Sequence, residues 1–196
     1  MDKSAIIKAN LESSLSVKEK ILKDNALLDK VGDLAQLIIG VYQNDGKVLF
    51  CGNGGSAADA QHLAAELSGR YYYDRPPLYA EALHVNTSYL TAVANDYSYD
   101  VIYERLIKGM GREGDILIGL STSGNSGNVI KAMQQAKKTG MTTVGFVGQG
   151  GGKMKECSDI LIEVPSTNTP RIQECHMLIG HSLCEIVEQG MFPNPK

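Results

Sequence analysis

Lys47–Arg70 reads KVLFCGNGGSAADAQHLAAELSGR, and this stretch decides the fold. KVLFC is a short apolar run of strand type, and GNGG is a tight loop. From Ser56 a helix follows, with Ala57, Ala58, Ala60, Ala64 and Ala65 supplying propensity. Glycine after a strand lets the backbone approach a ligand closely, and a helix start offers free N–H groups and a positive dipole end to an anion. His62 and Glu66 stand four residues apart, on one face of that helix. Two readings stay open here: an anion-binding loop beside an imidazole and a carboxylate, or an ordinary strand–loop–helix unit with a solvated surface pair. GNGGS is neither GxGxxG nor GxxxxGK[ST], so it implies no nucleotide.

Downstream, Pro76-Pro77 breaks the chain and Leu78–Leu83 predicts a second strand. Thr87 or Ser88 caps a short helix through Ala94, and Tyr99–Met110 predicts another. Asp115–Leu120, DILIGL, is an uninterrupted apolar run, as in a strand covered on both faces. It leads into Ser121-Thr122-Ser123-Gly124-Asn125-Ser126 and a helix over Asn128–Lys138. Thr142–Val147 and Asp159–Val164 are two more strands. A final helix starts at Thr169, with Pro170 in the first helical position, and runs to about Met191. This alternation predicts an α/β fold with a doubly wound, five-stranded parallel sheet and sites at the carboxyl ends of its strands. Upstream, Ile7, Leu11, Leu15 and Leu22, then Leu27, Val31, Leu34, Ile38 and Val41, mark two amphipathic helices over 3–24 and 26–43. A small sheet does not need them as cover. Packing on a partner chain is therefore expected, with packing on their own domain as the alternative.

At 196 residues the chain suits one domain, and 43% hydrophobic with 21% charged residues is ordinary for a globular protein. A net charge of −3 without a basic run argues against nucleic-acid partners. No apolar run approaches the ~20 residues of a membrane helix, and MDKSAIIKANLESS lacks the features of a signal peptide. A cytoplasmic location is expected. Cys51, Cys157, Cys175 and Cys184 form no CxxC pair and read as reduced, mostly buried thiols. Cys51 has no base nearby in sequence and reads as a core residue rather than a nucleophile.

Two more motifs carry chemistry. The four hydroxyls of STSGNS at a helix start would make a neutral phosphate cradle, or else a Ser/Thr-rich turn with caps. Its place after a wholly apolar strand favours the cradle. On the last helix, Gln173 and His181 lie eight residues apart, which brings them within ~80° of each other on one side. His176 points elsewhere and His84 reads as structural. His62, Glu66, Gln173 and His181 together would offer nitrogen and oxygen ligands suited to zinc or a similar divalent ion, but spacing alone does not bring two distant helices together.

CGNGGSAADAQH (51–62), Asn95-Asp96, GDILIGLSTSGNSGNVIKA (114–132) and PRIQECHMLIGH (170–181) closely resemble the phosphoheptose isomerases, a branch of the sugar isomerase (SIS) superfamily. The resemblance covers nearly the whole chain. It implies a single SIS domain over 1–196, with residues 1–46 as a helical pair used in oligomer packing and 47–196 as the α/β core. It also implies a homotetramer with active sites at subunit contacts. The family interconverts D-sedoheptulose 7-phosphate and D-glycero-D-manno-heptose 7-phosphate, on the way to activated heptose for bacterial surface glycans such as lipopolysaccharide. On matching positions, one Zn²⁺ per subunit would be held by His62, Glu66, Gln173 and His181. Asn53, Gly54, Gly55, Ser56, Asn95 and Asp96 would contact the sugar, with Glu66 and Gln173 beside it. Ser121, Thr122, Ser123 and Ser126 would hold the phosphate, and Glu66 and His181 would carry the proton transfers.

Asn86 and Ala94 depart mildly from the family pattern, where an acidic residue and a glycine are common. The SIS proteins that bind the replication initiator DnaA are the main alternative, resembling the chain up to Phe192-Pro193, but that branch lacks the glutamate and the last histidine present here. A sugar-phosphate-binding regulator is a second alternative, and such modules usually adjoin another domain. The isomerase reading requires Glu66 and His181 to meet in space.

Overall fold

Five strands, β1 (Val48–Gly52), β2 (Ala80–Ala82), β3 (Ile116–Ser121), β4 (Thr142–Val147) and β5 (Ile160–Glu163), form one sheet in the order β2-β1-β3-β4-β5. All pairings are parallel, with Phe50 opposite Ile118 and Leu120 opposite Phe146. This computed structural model describes residues 2–193. Every residue of β1 and β3 is buried, as continuous apolar runs require when both faces are covered. The chain winds from β1 out to β2 and from β3 out to β4 and β5. The loops after β1 and β3 therefore border the crevice where the winding reverses.

Helices α2 (Asn25–Gln43), α3 (Gly55–Ser68) and α7 (Thr169–Met191) cover one face, in one core cluster with Val48, Phe50, Ile116 and Ile118, and α1 (Lys3–Leu22) packs on α2 and α7. Helices α5 (Ile102–Met110) and α6 (Gly127–Thr139) cover Leu49, Cys51 and Leu117 on the other, with Val93 of α4 (Thr87–Asp96) beside them. All four cysteines are free and buried. Burial pushes the Cys51 thiol well above its ordinary range, which suits a core residue. No helix among the described residues is long and apolar enough to cross a membrane.

Several local expectations shift. The second strand is confined to Ala80–Ala82, and Leu78 and Leu83 flank it as buried residues. Asn86, not Thr87 or Ser88, caps α4, its side chain accepting from Tyr89 N–H. The segment from Tyr99 opens as a 3-10 turn, Tyr99–Val101, before α5 begins, and a second 3-10 turn, Gly152–Glu156, lies between β4 and β5. The paired N-terminal helices divide their roles. Leu34, Ala35 and Ile38 of α2 are fully or almost fully buried in this chain's own core, so that helix is needed as cover. On α1, Ile7, Leu11, Leu15 and Leu22 remain exposed.

Helices α3 and α7 run side by side in the same direction. Gly180 lets them touch: a Cβ there would lie 2.5 Å from a Leu63 methyl. Farther along, Arg75 and Glu188 form a buried ion pair at 3.1 Å. Glu188, on α7, also accepts from the N–H groups of Tyr71 and Tyr72. Arg75 donates to the carbonyls of Glu66, Leu67 and Gly69, which close the end of α3. Burial opposes ionisation of Glu188, but the Tyr72 and Tyr71 amides and the guanidinium outweigh it and hold the carboxyl below its usual range. His176 is buried against the sheet with Nε2 3.2 Å from Val147 O, and burial lowers its pKa to about 4.

Replacing Glu188 with alanine leaves a buried guanidinium unpaired, so urea unfolding at neutral pH should show a loss of about 3–5 kcal/mol. Because the folded-state pKa of Glu188 is lowered, its contribution is complete above the unfolded value and fades as pH falls through the folded one. The gap between wild type and Glu188→Ala should therefore narrow in acid. An unchanged gap at low pH would refute this account of the pair.

Candidate active site

The imidazoles of His62 and His181 and the carboxylate of Glu66 converge on one point. His62 Nε2 lies 3.0 Å from Glu66 Oε1 and 3.2 Å from His181 Nε2. The two rings meet edge to face with centroids 5.1 Å apart, and the Tyr71 ring stands 5.9 Å from that of His181. His62 and Glu66 share one face of α3, and the contact between α3 and α7 brings His181 to them. All three are at least partly open to solvent. One turn before His62, Asp59 keeps one carboxylate oxygen buried without a hydrogen-bond partner among the described residues, and burial raises its pKa.

The chemistry of these donors fits a divalent cation. One atom from each residue lies within 4.8 Å of the other two, and two ring nitrogens facing each other cannot both accept without a shared proton or an ion. A cation between them satisfies both nitrogens and the carboxylate, and imidazole with carboxylate is a donor set that zinc accepts. Gln173 lies two turns before His181 on α7, with its amide against Gly55, where a Cβ would approach to 2.3 Å. It therefore stands where the glycine loop enters α3, while the close cluster comprises His62, Glu66 and His181.

After β3, Ser121, Thr122, Ser123 and Ser126 curl into a loop. The Ser121 hydroxyl is buried and lies 2.9 Å from that of Ser126 and 3.5 Å from that of Ser123. Ser126 occupies the capping position of α6, but its side chain makes no cap hydrogen bond. A ring of hydroxyls at a helix start is thus assembled without any cationic side chain in it. The loop is braced from the side: Gly148 N–H donates to Thr122 O, Met154 N–H to Gly124 O, and Lys153 N–H to Asn125 Oδ1.

The expected sugar contacts are placed unevenly. Gly54 and Gly55 are exposed at the head of α3 and Asn53 is half-buried there, whereas Ser56 is buried and its N–H is taken by Asn53 O. Asn95 and Asp96 end α4 in solvent and bond each other at 2.9 Å. Among the described residues no hydrogen bond joins them to the histidine cluster or the serine loop. Sequence reasoning passed over Asn128, although it lies within the quoted GDILIGLSTSGNSGNVIKA stretch. Its side chain exchanges hydrogen bonds with Asn53 at 2.8 and 2.9 Å, tying the two loops together. An asparagine directly behind a hydroxyl loop was the signal for it. Arg75 and Glu188, distant in sequence from every motif, carried no such signal.

Residues 11–148 match the SIS domain family. The chain is 50% identical over 186 residues to a phosphoheptose isomerase of Sulfurimonas denitrificans, covering 95% of each protein. It is 51% identical over 188 residues to one of Aneurinibacillus thermoaerophilus, covering 96% of this chain and 95% of the relative. Among solved structures, a phosphoheptose isomerase from Neisseria gonorrhoeae superposes with a TM-score of 0.89 at 40% identity, covering 95% of this chain and 98% of the other. One from Francisella tularensis superposes with a TM-score of 0.91 at 37% identity, covering 96% and 100%.

If the serine ring binds phosphate, removing two hydroxyls with Ser121→Ala and Ser123→Ala should weaken binding of inorganic phosphate about tenfold or more. Titration calorimetry measures this directly. Unchanged affinity would exclude the loop as an anion site.

Proposed function

The chain belongs to the phosphoheptose isomerase family of SIS-domain proteins, and from that membership and the convergence of Glu66 with His181 we propose how its residues carry out the isomerisation. The reaction interconverts D-sedoheptulose 7-phosphate and D-glycero-D-manno-heptose 7-phosphate. In the forward direction the carbonyl moves from C2 to C1 of the opened sugar. A proton leaves C1, an enediol(ate) forms, a proton returns to C2, and the O1 hydroxyl proton passes to O2. The atoms balance without any redox partner.

The serine loop holds the phosphate through Ser121, Thr122, Ser123 and Ser126, together with the open start of α6. Helical side chains lean towards the helix N-terminus, so His62 and Glu66 lean towards the Gly54-Gly55 loop and the carboxyl ends of the strands, where the cradle follows β3. Asn53 and the glycine loop, with Asn95 and Asp96, line the sugar. Glu66 takes the C1 proton and returns one to C2, and His181 moves the hydroxyl proton. One oxygen of Glu66 faces His62, and the other has no hydrogen bond among the described residues, which supports its use as the base.

The metal would be zinc, one per subunit, held by His62, Glu66 and His181 with Gln173 as a further oxygen donor. It would supply Lewis-acid polarisation of the substrate oxygens and stabilise the developing negative charge. The exposed Ile7, Leu11, Leu15 and Leu22 of α1 support a homotetramer packed through the helical pair, with sites at subunit contacts. The protein works in the cytoplasm, supplying heptose for surface glycans. The glutamate and histidine that the DnaA-binding branch lacks are both present here and in contact range, which favours catalysis over that role.

Conversion of sedoheptulose 7-phosphate, followed by NMR, tests the proposal. Glu66→Gln should bind the sugar phosphate nearly as wild type does while kcat falls roughly 10²–10⁴-fold, and wild-type turnover would exclude Glu66 as the base. Chelation should abolish activity and added Zn²⁺ restore it, whereas full turnover in a verified metal-free preparation would remove the metal from the mechanism. Light scattering should give the mass of four chains, and a Leu11→Glu/Leu15→Glu variant should dissociate. A monomeric wild type would overturn the assembly.

A further inference from the structure

The hydrogen-bond directions around Asn53 can be deduced from groups whose roles are not interchangeable. Val129 N–H lies 2.9 Å from Asn128 Oδ1, and a backbone N–H can only donate, which fixes the orientation of the Asn128 amide. Asn128 then accepts from Asn53 Nδ2 at 2.8 Å and donates from Nδ2 to Asn53 Oδ1 at 2.9 Å, which fixes Asn53 in turn. The Tyr99 hydroxyl lies 3.0 Å from that same Asn53 Oδ1, an acceptor, so Tyr99 donates. Both lone-pair directions of Asn53 Oδ1 are then occupied. Among the described residues, a single Nδ2 proton of Asn53 remains uncommitted, together with the lone pairs of the Tyr99 oxygen.

A second tyrosine acts on the adjoining residue. Tyr103 is buried four positions beyond Tyr99, and its hydroxyl donates to Gly52 O at 2.5 Å. Two tyrosines of one segment thus hold consecutive residues of the turn that leaves β1, one from the core and one from the open side.

We propose that Tyr99 and Asn128 are positioning residues for the sugar, orienting Asn53 so that it presents one N–H donor and no acceptor to a substrate oxygen. The same amide pair ties that donor to the first turn of α6, the helix that carries the hydroxyl cradle. The donor that meets the carbon chain and the cradle that meets the phosphate are therefore held at a set separation. The substrate class selected is a phosphorylated sugar with an oxygen acceptor at a matching distance from its phosphate. This inference rests on the assignment of Asn53 to the sugar pocket.

Tyr99→Phe tests it with little risk to folding, because the side chain is half exposed. The expected result is a KM for sedoheptulose 7-phosphate raised about fivefold, the scale of one net hydrogen bond, with kcat and the melting temperature little changed. Affinity for inorganic phosphate, which probes the cradle alone, should stay within twofold of wild type. Asn128→Asp, which sets an oxygen against Asn53 Oδ1, should raise KM more than Tyr99→Phe does. Unchanged KM in Tyr99→Phe would overturn the inference, and so would an equal loss of phosphate affinity, which would make Tyr99 a brace for the cradle only. Calorimetric titration of the sugar phosphate into Glu66→Gln and into Glu66→Gln/Tyr99→Phe makes the same comparison with turnover suppressed, and residual turnover of Glu66→Gln followed by NMR reads a failure of the proton-transfer assignments separately.

Discussion

Two helices separated by a hundred residues must meet for this site to exist, and the Arg75–Glu188 pair closes that junction. Glu188 belongs to α7, while Arg75 gathers the carbonyls at the end of α3 and so reaches Glu66 O itself. The carboxylate also takes two amides of the segment between them, which places Tyr71 beside His181. A buried pair of this kind is weak evidence for added stability, since desolvation offsets most of its attraction. What it contributes is geometry. Any rearrangement of α3 against α7 would strand an unpaired charge in the core, so the alternatives are costly and one arrangement remains. Gly180 meets the same need from the packing side, by letting Leu63 approach the α7 backbone.

The two halves of the site work with different electrostatics. The hydroxyl loop has no cation in it and presents oriented dipoles at the start of α6, an arrangement suited to an anion that is held without being neutralised. The histidine cluster is a set of lone-pair donors half open to solvent, arranged around a place suited to positive charge. A substrate with an anionic end and a chain of oxygens matches that division. It can anchor its phosphate at the loop after the central strand β3 and bring its carbonyl and hydroxyl oxygens towards the cluster. The chain's overall charge of −3 plays no part in this.

The rigidity of the bridge between the halves comes from side chains that never touch the cluster. Asn53 and Asn128 form a closed amide pair, and the loop beyond β4 clips the cradle through backbone hydrogen bonds. These contacts cross from one connection to another at the point where the sheet reverses its winding. That is where strand ends diverge and loops must support one another rather than rest on a helix.

The strands, the long helices and the two loops after β1 and β3 were legible in the sequence because each is a local pattern. DILIGL is apolar without interruption, STSGNS is a cluster of hydroxyls between strand and helix, and His62 and Glu66 share a face by helical period. Short elements were read less well. The start of α4 turned on Asn86 rather than Thr87 or Ser88 as cap, a choice among residues of similar capping strength, and the helix from Tyr99 opened as a 3-10 turn, as helix starts frequently do. The sequence left open whether α2 packs on its own domain or on a partner chain, because amphipathicity tells which face is buried but not against what; Leu34, Ala35 and Ile38 lie in the chain's own core. The sequence by itself determined the order of elements and the residue types available for chemistry, since both depend on neighbours within a few positions. Only the tertiary structure decided that His181 meets His62, that Glu188 meets Arg75, and that Tyr99 and Asn128 orient Asn53. Those contacts join residues between 46 and 119 positions apart, and a separation of that size carries no periodic signal; packing alone selects it.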